Sequence, residues 1–552
     1  MNYISKKYII FFLIIIIITI SLGFKLHTVD LTVLPSEDVF GYTLFATAIN
    51  NGDFSERPRN TLGWPIFMSL FFNLVDSDNF LDYVNIARVL GLVLSTITII
   101  PMYLLSRKFF DVKYSLCATG LFAFEPHLNY IAGHGMTEPL YILVIIISLY
   151  FLLNKNSNHS YLSFLVIGLL WWAKWQGIVM LLVASVIFFR NFKITPKLLL
   201  KYFACLAIFL IIASPMLMHR YDQYGDPFYF SQTSLLFTGD YATILADNMK
   251  GVEYSASDYI SDHGIEKFIV TFVLMGIYNL LFTLFKMSFP YLIFLLIPGI
   301  IFSLKAFDQE KKYVQSNWIL ILITLTPFIL YFAILPEKRL IYHIYPFLII
   351  FATISLQRLV EYGLPTFSFN EKQKKICLVG IMSFVVILAG LYTLRYEIPD
   401  PILSNEEILL AETLENKFDG KILDAGGSLM GMYYTHVTDP QGVFKNYKIS
   451  QDHGAYHLFD FNQENINLMP TTLYAKSLEE FIEVSSEHEL NYISINKNGV
   501  SEVFYPFLDE IYENEEKFPY LIKIFDTEQE GFEKLKVKVF EIDYKKFYQL
   551  NN

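Results

Sequence analysis

The chain has 552 residues, of which 54% are hydrophobic and 17% aromatic, and its mean hydropathy is +0.41. This composition excludes a large soluble protein and indicates a multi-spanning membrane protein. Residues 394–552 carry 14 Lys and Arg against 29 Asp and Glu, so their net charge of −15 leaves +4 for the rest of the chain. The sequence therefore predicts a slightly basic membrane body with an acidic soluble tail, which excludes nucleic acid as a partner.

The N-terminal segment has Lys6-Lys7 followed by an apolar run from Tyr8 to Phe24. No cleavage site of the A-x-A type follows the run, and roughly 17 residues are just enough to span a bilayer. We therefore expect a retained signal-anchor helix and not a cleaved signal peptide.

Further apolar runs predict eleven membrane spans in all. They lie near 8–24, 84–105, 114–131, 138–153, 160–173, 175–189, 200–218, 288–304, 317–335, 340–357 and 375–393. The short fifth and sixth spans are expected to form a tight hairpin, and residues 268–287 form either a lipid-facing amphipathic helix or another span.

The distribution of Lys and Arg predicts the orientation of these spans. It places the N-terminus in the cytoplasm, and loop 25–83, loop 219–287 and the tail on the extracytoplasmic side. The localisation expected is therefore a multi-pass protein of the cell membrane, or of the endoplasmic reticulum membrane in a eukaryote.

The tail after Arg395 predicts a small α/β domain, so we divide the chain into a membrane domain, 1–395, and a soluble extracytoplasmic domain, 396–552. Residues 421–428 read as a strand, a Gly-rich turn and the start of a helix. Residues 477–489 form a polar amphipathic helix before a strand at 492–495, and 536–542 alternate as another strand. Gly426-Gly427 lacks the full G-x-G-x-x-G pattern, which favours a plain strand-to-helix turn over a nucleotide site.

The first external loop contains the acidic pair Glu37-Asp38, with Tyr42 and Ala46 four and eight residues beyond Asp38. Carboxylates at the mouth of a membrane helix are expensive and are candidate functional groups. A carboxylate placed there can act as a general base beside the membrane surface. An ordinary interfacial acid pair is the alternative.

Three further motifs are predicted to lie on the same side of the membrane. They are Gly63-Trp64-Pro65 before the second span, Thr137-Glu138-Pro139-Leu140-Tyr141 at the start of the fourth, and Pro336–His343, followed by Tyr345-Pro346, at the start of the tenth. In addition, Lys174 lies at the outer apex of the short hairpin, where a membrane cation usually has a partner.

In their order and common placement, these motifs make residues 1–395 resemble the GT-C membrane glycosyltransferases of the protein O-mannosyltransferase and aminoarabinose-transferase type. The resemblance implies a GT-C fold with helices around a lateral cleft. It implies a sugar donor on a polyprenyl phosphate held in the bilayer, and a protein, lipid or glycan acceptor. The acceptor hydroxyl would be the nucleophile, in a single displacement with inversion.

The resemblance also implies roles for the acids. Asp38 fits the general base, because the spacing to Tyr42 and Ala46 counts from it. In many relatives the second acid follows the base, whereas here Glu37 precedes Asp38. This departure leaves Glu37 as a second candidate for the base. Glu138 is either a second active-site carboxylate or an acid that favours the positive end of its helix.

Cations stabilise the charge that builds up on a phosphate leaving group. Lys338, Arg339 and His343 share a face if an α-helix begins at Pro336, and we assign them to the donor phosphate. Lys174 is a further candidate, and Arg57 and Arg59 in the first loop are weaker ones. Snorkelling or interfacial anchoring is the alternative for the Lys and Arg side chains.

No cofactor is assigned. Glu125, His127 and His134 lie in one external turn and fit a divalent metal by residue type, but they lack a zinc-binding pattern. The three cysteines lie in apolar segments and offer neither a disulfide framework nor a CxxC metal site.

Three other functions compete with a glycosyltransferase. A transporter or flippase would be expected to show an inverted repeat, which is not evident. An oligosaccharyltransferase would want a metal-binding acid set and a Trp-Trp-Asp-type motif in the soluble domain, and the tail has no Trp. A noncatalytic assembly factor of the same fold would not need Asp38.

Overall fold

The computed structural model of the chain describes residues 3–54, 62–75, 77–174, 176–228, 236–238, 254–304, 311–396, 398–425, 429–439, 441–444, 458–461, 475, 477–497, 505 and 507–551. Helices make up the membrane body. In chain order they are α1 (Tyr3–His27), α2 (Glu37–Asn50), α3 (Gly63–Phe72), α4 (Phe80–Ile97), α5 (Ile99–Ser106), α6 (Val112–Ala123), α7 (Pro126–Ala132), α8 (Glu138–Leu152), α9 (His159–Ala173), α10 (Gly177–Asn191), α11 (Pro196–Tyr224), α12 (Ala256–His263), α13 (Ile265–Phe268), α14 (Met275–Met287), α15 (Leu292–Leu304), α16 (Lys311–Ile334), α17 (Tyr345–Arg358) and α18 (Glu371–Thr393).

Short non-α segments join several of these helices. They are 3-10 turns at Leu236–Thr238, Lys338–Ile344 and Leu364–Phe367, and π-helical turns at Ile269–Leu274 and Leu359–Gly363.

Seven helical segments of the described residues are long and apolar enough to cross a membrane. They are Lys7–His27, Phe80–Ser106, Pro196–Asp222, Ile265–Met287, Tyr313–Ile334, Lys338–Phe367 and Glu371–Thr393. Five shorter apolar helices accompany them: α3, α8, α9, α10 and α15. The predicted multi-spanning helical class is confirmed, while the count of eleven spans and the orientation of the termini stay predictions.

One stretch of the membrane body differs from the sequence prediction, and a second bears on a choice that the sequence left open. Residues 114–131 are not one span, because α6 ends at Ala123 and Glu125 caps a separate helix, α7, that begins at Pro126. Proline has no N–H to donate to the preceding turn, so a new helix starts there. Residues 265–287 are one helical segment long enough to cross a membrane, and it packs tightly on α16: a Cβ at Gly276 would lie 2.0 Å from the carbonyl oxygen of Ile329.

The tail forms an α/β unit with a five-stranded sheet. Its elements are α19 (Pro401–Lys417), β1 (Lys421–Asp424), α20 (Leu429–Val437), β2 (Leu458–Asp460), α21 (Leu478–Glu487), β3 (Leu490–Asn496), α22 (Leu508–Glu513), a 3-10 turn at Glu515–Lys517, β4 (Leu521–Asp526), β5 (Val537–Ile542) and α23 (Tyr544–Asn551). The strand order is β2-β1-β3-β5-β4, with β1 and β3 parallel and the other neighbours antiparallel.

The predicted elements of the tail are confirmed, and two strands were missed. The strand and helix on either side of Gly426-Gly427 are β1 and α20, although the two glycines lie outside the described residues. The helix predicted at 477–489 is α21, and the predicted strands are β3 and β5. β2 and β4 gave no signal that we recognised.

The sheet packs on two separate hydrophobic clusters. One cluster, which includes Leu423, Phe481 and Phe540, lies under α21, α22 and α23. The other includes Tyr433 and Val539 and is continuous with the buried side chains of the membrane helices. The tail therefore shares a core with the membrane body, and is not attached only through a linker.

Glu406 ties α19 to the turn between β4 and β5. Its buried carboxylate accepts hydrogen bonds from the backbone N–H groups of Glu533, Lys534 and Leu535 at 2.6, 2.9 and 2.7 Å. An amide accepts only through its oxygen, so in Glu406→Gln the NH2 group faces at least one of these N–H donors and leaves it without an acceptor. We expect the local free energy of opening to fall by about 1–3 kcal/mol.

Amide hydrogen exchange of residues 533–535 in the full chain measures this effect, with Glu415→Gln on the exposed face of α19 as the control. We expect roughly tenfold or faster exchange in Glu406→Gln alone, since about 1.4 kcal/mol is a factor of ten. Equal exchange in the two variants would contradict the assigned role of Glu406.

Candidate active site

Helix α2 presents Asp38 to an arginine from a distant part of the chain. Ser36 precedes the helix in an extended conformation, and α2 begins at Glu37. Asp38, Tyr42 and Ala46 are four residues apart and share one helix face, as their spacing predicts. The carboxylate oxygen Oδ2 of Asp38 accepts a hydrogen bond from Nη1 of Arg339, and both side chains are about one-third exposed.

Arg339 binds a second carboxylate. Its Nε donates to Oε2 of Glu337 at 2.7 Å, so one guanidinium joins Asp38 and Glu337. Charge-assisted hydrogen bonds of this kind are stronger than neutral ones. A phosphate oxygen accepts hydrogen bonds from the same guanidinium N–H groups as a carboxylate oxygen does. Arg339 is therefore able to exchange a carboxylate partner for a phosphate.

A second ion pair lies on the neighbouring helices. Nζ of Lys174 donates to Oε1 of Glu138 at 2.6 Å, and the two side chains are only 16% and 3% exposed. Glu138 begins α8, and Lys174 lies between α9 and α10 at the apex of the predicted hairpin. The expectation that this intramembrane cation has a partner is confirmed, and the partner is the other acid that the sequence singled out.

The Gly-Trp-Pro turn supports this second pair. A Cβ at Gly63 would lie 2.3 Å from the carbonyl oxygen of Trp172, so only glycine lets α3 approach the hairpin this closely. Nε1 of the buried Trp64 donates to the carbonyl oxygen of Gly135 at 2.8 Å, three residues before Glu138. The turn thus contacts both segments that carry the ion pair.

Tyr42 lies between the two pairs. The tyrosine is 8% exposed, and its hydroxyl interacts electrostatically with Asp38, Glu138 and Arg339. Burial raises the pKa of Tyr42 well above its usual value, the two carboxylates raise it further, and Arg339 opposes them. The hydroxyl therefore stays protonated, as a neutral hydrogen-bond donor.

His343 does not share a face with Lys338 and Arg339. Residues Lys338–Ile344 form a 3-10 helix, in which residues three apart are eclipsed, so Tyr342 and not His343 lies in line with Arg339. Pro346 supplies no N–H for an α-helical bond back to Tyr342, which favours the tighter turn. The buried His343 ring packs between Tyr141 and Phe328, with centroids 5.3 and 5.8 Å away.

Lys338 lies beside a cation that the sequence analysis missed. Lys286, in the last turn of α14, is close enough to interact electrostatically with Lys338. Its ammonium lies 4.2 Å from the centroid of the Phe282 ring. In the part of the chain that the structure describes, Lys338 has no carboxylate within ion-pair distance. The sequence signal for Lys286 was weak. A cation in the last turn of an apolar helix is favoured by the helix dipole alone and is common where it has no function.

The turn with Glu125, His127 and His134 does not bring its members to one point. Glu125 is fully buried, and the nearby hydroxyls of Tyr291 and Tyr345 donate to the carbonyl oxygens of Leu121 and Met287 at 2.7 and 2.9 Å. Nδ1 of His127 is 2.7 Å from the Tyr396 hydroxyl, whereas Nδ1 of His134 is 2.6 Å from the carbonyl oxygen of Tyr130. Over the described ranges, no group of three or more His, Cys, Asp and Glu side chains is placed to hold a metal ion.

Three predicted site groups are not described. Arg57 and Arg59 lie outside the described residues, as does the side chain of Glu37, whose backbone begins α2. Their roles stay predictions.

Comparison with known proteins gives a fold but no family. No family model matches the chain, and no curated protein matches its sequence. Among solved structures, the oligosaccharyltransferase of Archaeoglobus fulgidus in the apo form aligns with 90% of this chain and 70% of its own, at 12% identity and a TM-score of 0.57. The archaeal oligosaccharyltransferase AglB from the same organism, in complex with an inhibitory peptide and a dolichol-phosphate, aligns over the same shares at 13% identity and a TM-score of 0.55.

A third structure, ArnT from Cupriavidus metallidurans bound to undecaprenyl phosphate, aligns with 96% of this chain and 97% of its own, at 10% identity and a TM-score of 0.46. The two oligosaccharyltransferase structures define the architecture. The chain has the GT-C fold of membrane glycosyltransferases, and the fold class predicted from the sequence motifs is confirmed.

The ion pair between Lys174 and Glu138 can be tested without knowing a substrate. Lys174→Met leaves Glu138 buried without its cation, and breaking a buried pair in this way costs up to about 3–5 kcal/mol. Replacing both partners, as Glu138→Gln with Lys174→Met, removes the isolated charge. We therefore expect the double variant to be more stable than Lys174→Met alone.

Thermal unfolding of the four proteins in lipid nanodiscs completes the double-mutant cycle. If the losses of stability in the two single variants add up to the loss in the double variant, Lys174 and Glu138 are not coupled. That result would contradict the ion pair in the structure.

Proposed function

We propose that the protein is an integral-membrane glycosyltransferase that moves a sugar from a polyprenyl-phosphate donor to an acceptor hydroxyl on the extracytoplasmic side. The observation that supports this most is the convergence of Asp38, Arg339, Glu138 and Lys174 from four separate segments, within a GT-C fold. AglB, a neighbour in fold, is in complex with a dolichol-phosphate. A polyprenyl phosphate is accordingly the carrier proposed here.

The donor phosphate is proposed to bind at Arg339 and Lys338, with Lys286 close by. The argument for Lys338 and Lys286 is that two neighbouring ammonium groups repel each other, and a phosphate between them relieves this repulsion. Positive charge at this point stabilises the phosphate as the bond to the sugar breaks. Lys174 is a further candidate contact, although Glu138 already holds its ammonium.

Asp38 is proposed as the general base. Its Oδ2 is occupied by Arg339, so a donor phosphate that draws Arg339 away frees that oxygen for the proton of the acceptor hydroxyl. The acceptor oxygen then bonds to the anomeric carbon while the bond to the phosphate breaks, in one displacement with inversion. Glu37, one residue earlier, remains the alternative base.

Glu138 is proposed to orient the acceptor. Its Oε1 is bonded to Lys174, and Oε2 is buried with no hydrogen-bond partner among the described residues. An acceptor hydroxyl in this position would satisfy Oε2. His343 lies behind Tyr141, whose ring Lys174 faces at 5.9 Å, and is thus better placed to support that wall than to touch the phosphate.

The competing functions make different predictions for Asp38. A noncatalytic assembly factor or a transporter of this fold has no proton to remove from an acceptor, and gains nothing from a base. An oligosaccharyltransferase would be expected to need a metal-binding acid set, and the described residues show no such group. The sugar, the acceptor and the carrier length are left open.

Asp38→Asn tests the proposed base. With the protein in lipid and a panel of polyprenyl-phosphate sugars, we expect turnover by this variant to fall about 10²- to 10⁴-fold. The matched control is Glu337→Gln, which also removes a carboxylate from Arg339 but not the base. Its effect should fall on donor affinity, with turnover at saturating donor kept within about tenfold.

Equal turnover in wild type and Asp38→Asn would remove Asp38 from the chemistry and move the base to Glu37 or elsewhere. A fall of the same size in both variants would make Arg339 pairing, and not proton removal, the function of Asp38. Inactivity of the folded wild type with every donor in the panel would favour the transporter and assembly-factor alternatives.

A further inference from the structure

The C-terminal domain contacts α2, the helix that carries Asp38, through a row of four aromatic rings. Tyr433 of α20 stacks on Phe40 of α2 with ring centroids 5.6 Å apart, and Phe40 contacts Phe80 of α4 at 5.0 Å. Phe80 in turn stacks on Phe444, which follows α20, at 5.4 Å. We name these four side chains the aromatic clamp: two from the membrane body lie between two from the C-terminal domain.

The clamp is buried and is supported by backbone pairing. Tyr433, Phe40 and Phe80 are each 1% exposed or less. The N–H of Phe444 donates to the carbonyl oxygen of Asp78 at 2.7 Å, and Val443 forms an antiparallel bridge with Asn79. The segment after α20 is therefore fixed to the start of α4, and its ring has a defined place.

The domain also holds the segment that leads into α2. The backbone N–H of Leu34 donates to Oγ of Ser404 in α19 at 3.1 Å. From the other side, the guanidinium of the buried Arg88 donates to the carbonyl oxygens of Val33 and Leu34 at 3.0 and 3.1 Å. The entry to α2 is thus bound both by the membrane body and by the C-terminal domain.

The geometry of α2 links the clamp to the base. Phe40 follows Asp38 by two residues, which turns their side chains to nearly opposite faces of the helix. Asp38 points to Arg339 while Phe40 points to Tyr433. Loss of the Tyr433 ring would leave space beside Phe40. A shift of α2 into that space would carry Asp38 away from Arg339.

Tyr433 itself has a rigid backing. A Cβ at Gly431 would lie 2.1 Å from the carbonyl oxygen of Glu407, so α20 lies against the backbone of α19 with no space between them. Because α19 and α20 are in close contact, α20 has little room to move when Phe40 packs on the Tyr433 ring.

We propose that the C-terminal domain is a positioning element of the active site, and that Tyr433 fixes Asp38 by stacking on Phe40. This inference rests on the proposed function of Asp38 for its effect on turnover, but the positioning itself is independent of any activity. The tail is then neither a detachable cap nor only an acceptor-recruiting module.

The test uses three variants of the full chain in lipid nanodiscs. Tyr433→Ala removes the ring, and Tyr433→Phe keeps the ring and its stacking. Phe481→Ala removes a buried ring from the other hydrophobic cluster of the same domain, which contains no residue of α2. The first readout is amide hydrogen exchange of residues 39–50, with α17 as an internal reference.

We expect exchange in α2 to rise at least about twofold to tenfold in Tyr433→Ala, the range that the loss of an aromatic pair implies. It should stay near the wild-type rate in Tyr433→Phe and Phe481→Ala. Unchanged exchange in Tyr433→Ala would overturn the proposal. A rise of the same size in Phe481→Ala would also overturn it, because general loosening of the domain would then suffice.

The second readout separates this inference from the proposed function. In Tyr433→Ala, turnover should fall by at least the same factor, while affinity for a polyprenyl phosphate stays within about twofold, because its proposed cations lie on other segments. Faster exchange in α2 together with unchanged turnover would keep the positioning but remove Asp38 from the chemistry. Loss of polyprenyl phosphate affinity in step with turnover would contradict a role confined to α2.

Discussion

The ion pair between Asp38 and Arg339 joins residues 301 positions apart and sets the geometry on which the site depends. Charged groups at a membrane boundary are retained only where they are paired or solvated, and this pair is both, since each partner is about one-third exposed. The second pair, Glu138 with Lys174, is much more deeply buried. The pair of Asp38 and Arg339 is therefore the one that solvent reaches more easily, whereas the pair of Glu138 and Lys174 is held inside the protein.

The two opposite faces of α2 make different kinds of contact. The face with Asp38 meets a polar, exchangeable partner, and the face with Phe40 meets a dry stack of aromatic rings. In the proposed mechanism, Asp38 must be held within a fraction of an ångström while its own bonding partner changes. Rigid aromatic packing is suited to this, because it fixes the helix without competing for the carboxylate. The shared hydrophobic core of the membrane body and the tail gives this packing its stiffness.

Much of this arrangement was predictable from the sequence, for identifiable reasons. Long apolar runs predict membrane helices. The position of Lys174 at a membrane hairpin predicted an ion pair, because an isolated cation in a membrane is costly. The prediction was wrong where local chemistry overrode the pattern: Pro126 breaks a predicted span, and the 3-10 helix moves His343 away from Arg339. Contacts between distant segments, such as Phe40 with Tyr433, leave no periodic trace in a single sequence, so the contact of the tail with α2 could not be predicted.

A structure of the protein in lipid with a polyprenyl phosphate bound would show whether Arg339 exchanges Asp38 for the donor. We expect the phosphate to lie within hydrogen-bonding distance of Arg339 and Lys338, with Lys286 beside it. We also expect the bond between Arg339 and Asp38 to have opened, while α2 keeps its place against Phe80 and Tyr433. A phosphate bound elsewhere, with the pair between Asp38 and Arg339 intact, would show that this arginine does not pass from the proposed base to the donor.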